Sequence, residues 1–168
     1  KGYTTILTSQ LVSYVSGGDR LPDKPVILTF DDGFANNYLY AYPLLQKYNM
    51  KAVIALIGSE SDISSGDIYR NPNHGNLNWG EVAVLARSGS VEFANHSYKL
   101  HSVSGGRKGA DKKKGESAQS YRKLLTEDLS KNQQLIEAAT GHAPIAFAWP
   151  YGAYPLDGSA DAILKELG

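Results

Sequence analysis

Two aspartates side by side, Asp31 and Asp32, and two histidines five positions apart, His96 and His101, are the residues here best suited to hold a metal. Adjacent carboxylates repel each other, and a cation beside them relieves the repulsion. Neutral imidazole with carboxylate is a donor set for Zn²⁺, with Co²⁺ and Ni²⁺ also accommodated. Three protein ligands with one open position describe a catalytic site, in which bound water is acidified. Asp32, His96 and His101 supply that count. On a helix, an offset of five turns the side chains by about 140° after one full turn, so the histidines would not share a face. They are expected instead on a strand end and the turn after it. Plainer readings exist: Asp-Asp-Gly is common turn chemistry, and one histidine can be a surface group while the other packs or caps. His74, in a polar loop, and His142, after a helix-ending glycine, are given no catalytic role.

Strand ends must position these groups. The apolar run 26–30 ends in Asp31-Asp32-Gly33 and reads as a buried strand delivering both carboxylates. A helix to about Tyr48 is expected, capped by Asn36 or Asn37, with Tyr40, Leu44, Leu45 and Tyr48 on one stripe and Pro43 in its first turn or at a kink. Residues 52–57 read as a second strand, 59–78 as a long surface loop, 79–87 as a helix, and 91–94 as a third strand that ends at Asn95-His96. Residues 103–117 read as a mobile loop. A helix over 118–140 follows, with Tyr121, Leu125, Leu129, Ile136 and Ala139 on its apolar stripe and Gly141 as its stop. Residues 145–149 read as a fourth strand running into Pro150-Tyr151-Gly152, and 159–167 as a final helix. Alternating strands and helices imply parallel βαβ units, whose chemistry gathers at strand C-terminal ends. Asp31, Asp32, His96 and Tyr151 all fall there.

Composition narrows the class. With 17 basic against 17 acidic residues, no basic field exists for nucleic acid. There is no cysteine, so any metal is held by His, Asp or Glu. No apolar run approaches the ~20 residues of a membrane span. The chain opens on Lys1-Gly2-Tyr3, without signal peptide or initiator Met, and is read as a processed or partial chain.

Three segments, in order, resemble the motifs of the NodB-homology polysaccharide deacetylases (carbohydrate esterase family 4). Thr29-Phe30-Asp31-Asp32-Gly33 is similar to the first motif and Asn95-His96-Ser97-Tyr98-Lys99-Leu100-His101 to the second. The histidine offset of five, where four is usual, and Phe147-Ala148-Trp149-Pro150-Tyr151-Gly152 resemble the poly-N-acetylglucosamine deacetylase branch. The resemblance runs over nearly the whole chain. It implies an α/β fold, a distorted (β/α) barrel of the NodB-homology type, as one catalytic domain over 1–168 that is incomplete at its C-terminus. It also implies Asp31 as general base, Asp32, His96 and His101 as metal ligands, and the Tyr151 backbone N–H as an oxyanion donor. The family's Arg two residues before the motif-three Pro is Ala148 here. The later motif carrying a histidine that protonates the leaving amine has no counterpart before Gly168.

The expected function is metal-dependent removal of N-acetyl groups from an N-acetylglucosamine-containing polysaccharide: poly-N-acetylglucosamine, a chitin-like polymer or peptidoglycan glycan. Tyr98, Trp149 and Pro150 are expected to contact sugar. The protein is expected to be a monomer acting outside the cell or at its surface, with neither nucleic acid nor a membrane span involved. One competing reading is a non-catalytic carbohydrate-binding module that retains the metal site. Another is an amidohydrolase for small amides, which a closed pocket would favour over an open groove.

Overall fold

The computed structural model describes residues 2–67, 71 and 73–168. In chain order it runs β1 (Thr4–Thr5), α1 (Thr8–Val15), β2 (Pro25–Val26), β3 (Thr29–Phe30), a π-helical turn (Asn37–Ala41), α2 (Tyr42–Lys47), β4 (Ala52–Leu56), α3 (Gly58–Gly66), α4 (Trp79–Arg87) and β5 (Val91–Asn95). A hairpin of β6 (Val103–Ser104) and β7 (Arg107–Lys108), the long α5 (Ala118–Thr140), a 3₁₀ turn (Pro150–Gly152) and α6 (Asp161–Leu167) complete it.

The scaffold of the site is the parallel sheet β3-β4-β5, in register Phe30↔Ile54 and Leu56↔Asn95. Every residue of β4 is buried, as an apolar run covered on both faces must be. Its alternate side chains divide the interior. Ile54 and Leu56 join Phe93, Leu77, Val82, Leu85 and Ile136 under the helices. Val53 and Ala55 meet Ala94 on the inner face, beside Ala146 and Ala148. A separate cluster under α5 and α6 gathers Tyr121, Leu125, Leu129 and Ile163, with Phe147 and Trp149 against it. Among the described residues the sheet closes into no barrel, in keeping with a distorted and incomplete one.

Several elements differ from the sequence expectation. The run 26–30 is not one buried strand: β2 pairs with β1 and β3 with β4, and Thr29 is exposed. Residues 145–149 form no full strand but a single bridge, Phe147 opposite Asn95, held by Asn95 N–H to Ala146 O and Ala148 N–H to Asn95 O at 2.9 Å each. The Ser- and Gly-rich stretch after β4 begins not as a loop but as α3. Its hydroxyls find partners at short range, Ser65 Oγ donating to Ser61 O and Ser64 Oγ accepting from Asn76 N–H. Residues 68–70 and 72 of the expected loop lie outside the described residues. Asn36 and Asn37 make no side-chain cap, and Pro43 sits in the first turn of α2. Only Leu45 of the expected stripe is buried, while Tyr40, Leu44 and Tyr48 face solvent. The expected loop 103–117 includes the β6–β7 hairpin. By contrast, α5 has the expected bounds, its stripe buries Tyr121, Leu125, Leu129 and Ile136, and Gly141 ends it at φ 84°. Helices α4 and α6 form where expected, and the sequence reading did not include β1 and α1.

Candidate metal centre

Asp32 follows β3 with a left-handed backbone, φ 68°. Asp tolerates that region better than most residues. Asn76 Nδ2 donates to Asp32 O at 2.7 Å and Leu77 N–H to Gly33 O at 2.8 Å, which holds the turn. Only glycine fits position 33, where φ is 67° and a Cβ would stand 2.5 Å from Leu56 Cδ2. The turn separates the two carboxylates. Asp32 points into a cavity of about 650 Å³ that is also lined by His101, Tyr98 and Asp62. Asp31 is exposed and lines an adjoining cleft with Asn37 and Tyr40. Phe34 lines both.

His96 follows β5 and is 2% exposed. Its Nδ1 lies 2.8 Å from Ala148 O. A carbonyl oxygen only accepts, so Nδ1 carries a proton, which leaves Nε2 as the ring atom that can ligate. That Nε2 stands 3.4 Å from Asp32 Oδ1, and His101 Nε2 stands 3.2 Å from the same oxygen. All three atoms lie within 4.8 Å of one another. Metal–ligand bonds of about 2.0–2.1 Å in a tetrahedron give ligand–ligand edges of about 3.3–3.4 Å, so both distances fit. The Asp/His/His set therefore fits a divalent ion, and the Ala148 carbonyl supplies the orienting contact that metal-ligating histidines usually have.

The loop between the histidines is held from two sides. Gly58 N–H and Ser59 N–H, at the start of α3, donate to Ser97 O and Tyr98 O at 3.2 and 3.0 Å. From α5, Asp128 accepts from Tyr98 N–H at 2.7 Å and Lys99 N–H at 2.8 Å. Beneath it Asn132 Nδ2 donates to Leu56 O and to Asn95 Oδ1, both at 2.8 Å. The sequence reading missed Asp128 and Asn132. The one signal for Asn132 was a polar residue interrupting an apolar stripe.

The remaining expected residues lie at varied distances from the chemistry. The Tyr151 ring lies 4.4 Å from that of His101, and Tyr151 is held at φ 59° in the 3₁₀ turn. As the second residue of a three-residue turn, its N–H has no intrahelical carbonyl to bond. Tyr98 lines the cavity, but its hydroxyl donates to Asp62 at 2.9 Å and Lys131 Nζ covers its ring at 3.6 Å. Trp149 packs edge-on against Phe147 at 4.8 Å, toward the core, and Pro150 is buried against Gly109. Tyr154, 52% exposed and 6.0 Å from Trp149, leaves its ring in solvent, as do Tyr151 and Phe34. His74 and His142 are exposed and take no part in the cluster.

A parallel sheet carrying Asp32 and His96 at its strand ends, with His101 on the loop that follows, defines a class, and comparison with known proteins gives the family. The chain belongs to the polysaccharide deacetylase family, whose model matches residues 18–168. It is 30% identical over 186 residues to the poly-β-1,6-N-acetyl-D-glucosamine N-deacetylase of Escherichia coli (strain K12). That match covers 99% of this chain and 27% of the relative, so the chain spans about a quarter of that relative's length. The deacetylase domain of BpsB from Bordetella bronchiseptica superposes with a TM-score of 0.85 at 31% identity, covering 99% of this chain and 70% of that one. A de-N-acetylase from Aggregatibacter actinomycetemcomitans gives 0.81 at 30%, covering 99% and 69%. These neighbours carry the NodB-type fold expected from the motifs.

Proposed function

We propose that this chain is the catalytic domain of a metal-dependent polysaccharide N-deacetylase that removes acetyl groups from an N-acetylglucosamine-containing polymer. The observation that carries the reading is the meeting of Asp32, His96 and His101 at one point under an open cavity. Phe34 and Ile63 are exposed on the rim, a form that suits a polymer better than an enclosed small amide. The poly-N-acetylglucosamine substrates named for the relatives point to the same polymer class, and so to action at the cell surface or outside it. None of the described helices is long and apolar enough to cross a membrane.

In this reading Asp32, His96 and His101 hold a divalent ion, most simply Zn²⁺, with Co²⁺ or Ni²⁺ able to replace it. The ion supplies Lewis acidity, polarising the amide carbonyl and acidifying water. Asp31 takes the proton from the attacking water as its oxygen bonds to the carbonyl carbon. The Tyr151 N–H donates to the developing oxyanion. The C–N bond then breaks as the proton taken up by Asp31 passes to the amine nitrogen, so the sugar leaves as the free amine and the acyl group as acetate. A sugar lying over Phe34 would have Asp31 on one side and the triad on the other. We assign Tyr98 to the cavity wall, and Trp149 and Pro150 to holding the Tyr151 turn rather than to stacking sugar.

One observation favours the alternative, a glycan-binding module that keeps the metal site: Asp31 lines the adjoining cleft and not the cavity of Asp32. Asp31→Asn separates the two readings. The enzyme reading expects this variant to keep a full equivalent of zinc and lose acetate release, whereas Asp32→Ala loses the zinc. Unchanged turnover in Asp31→Asn removes Asp31 from its role, and full zinc occupancy in Asp32→Ala removes the ligand assignment.

A further inference from the structure

The loop that joins the two histidines is short, polar and partly strained. Ser97 has a left-handed backbone, φ 72°, a conformation that persists only where the surroundings impose it. Its N–H donates to Asn95 Oδ1 at 2.9 Å, and its Oγ accepts from Leu100 N–H at 3.2 Å. The two amides at the centre of the loop, those of Tyr98 and Lys99, both donate to the single carboxylate of Asp128, one to each oxygen. These bonds join residues 30 and 29 positions apart in sequence. They therefore tie the loop to the long, rigid α5 and not to itself. Two successive N–H groups on one carboxylate fix two peptide planes, and charge-assisted bonds of this kind are about twice as strong as neutral ones. Burial pushes the Asp128 carboxyl above its ordinary range, against the pull of those amides and of Lys131.

We propose that Asp128 is a positioning residue for the metal centre: by anchoring Tyr98 and Lys99 it holds His101 at ligating distance from Asp32 and His96. This rests on the reading of those three residues as metal ligands. Asp128 touches no ligand and acts only through the loop. Without it, Gly58 and Ser59 still hold the loop carbonyls, so the chain folds, but the His101 end is free to swing. The ion then bears the cost of ordering the loop, and affinity falls.

The test is a titration of the metal-free full chain with Co²⁺, followed by visible absorption, for wild type, Asp128→Asn and Asp128→Ala. Thermal melting of the metal-free proteins runs alongside. The expected result for Asp128→Ala is a loss of about 10–100-fold in affinity, the usual effect of removing an outer-shell partner, with an altered cobalt spectrum. Asp128→Asn should fall between, because its amide oxygen accepts one N–H while its NH₂ opposes the other. Should Asp128→Ala fail to fold, Asp128→Asn decides alone: a native melt with weakened cobalt affinity supports the role, and wild-type affinity overturns it. Wild type that binds cobalt while Asp128→Ala binds it equally well, with the same spectrum, overturns the role of Asp128 alone. Wild type that takes up no cobalt overturns the metal-centre reading, and this role with it.

Discussion

Replacing Asn132 by alanine should cost about 2 kcal/mol of stability, and replacing it by aspartate should cost more. Asn132 is fully buried on α5, and its Nδ2 makes two bonds of 2.8 Å. Each lost bond is worth about 1 kcal/mol net. The larger penalty for an orphaned acceptor does not apply, because Leu56 O keeps His96 N–H at 3.0 Å and Asn95 Oδ1 keeps Ser97 N–H at 2.9 Å. The vacated space is about one water molecule's share, about 30 Å³, worth about 0.7 kcal/mol if it stays empty. Asn132 Oδ1 has no partner, and removing it offsets about 1 kcal/mol. At about 2–4 °C per kcal/mol for a domain of this size, Asn132→Ala should melt about 4–8 °C lower. Asn132→Asp has nearly the same shape, yet it sets a buried carboxylate against two acceptors. An uncompensated buried charge costs about 3–5 kcal/mol. Urea unfolding followed by circular dichroism measures both. An Asn132→Asp variant as stable as wild type, or an Asn132→Ala loss below about 0.5 kcal/mol, would falsify the reasoning, since ordinary surface changes fall within that band.

At Gly58 an added Cβ would lie 2.1 Å from Asn132 Oδ1 and 2.9 Å from Tyr98 Cδ2, so Gly58→Ala should destabilise by about 1–3 kcal/mol. Because Asn132 is the nearer obstacle, the Gly58→Ala/Asn132→Ala double variant should be more stable than the two single losses predict, by at least about 0.5 kcal/mol in a double-mutant cycle. Strict additivity would place the clash elsewhere. Burial pushes Glu116 up, but its 2.5 Å bond to Arg107, the Lys113 N–H and the nearby positive charges outweigh this and hold it below the usual carboxylate range. A lowered native value means that its stabilisation is present above the unfolded value of about 4.3 and is lost as pH falls through the native one. Urea midpoints should therefore decline below about pH 4, less steeply in Glu116→Gln; identical profiles would remove the pair as the cause.

The clustering of Asp32, His96 and His101 was readable from sequence because two of the three close apolar runs, in Asp-Asp-Gly and in Asn-His, and the third follows in the next turn. Asp128 and Asn132 were not, because their partners lie 29 to 76 positions away in sequence, under a helix that packs over the strand ends and the loop between the histidines. Helix α3 was hidden by its serines, which usually favour loops and here bond back along the helix or onto neighbouring amides. That Asp31 and Asp32 face different ways was legible from a strand ending beneath them, whereas the left-handed turn at Asp32 and Gly33 that parts them was not. Trp149 and Pro150 were expected to face sugar because they sit in a motif. The cluster under α5 and the close approach of Gly109 take them inward.

The most direct test of the central claim is acetate release from N-acetylglucosamine oligomers by the full-length protein, before and after chelation and after zinc is returned. The expected result is release that chelator abolishes, zinc restores, and Asp32→Ala cannot recover. Release at an undiminished rate after complete removal of metal, or in Asp32→Ala, would contradict it.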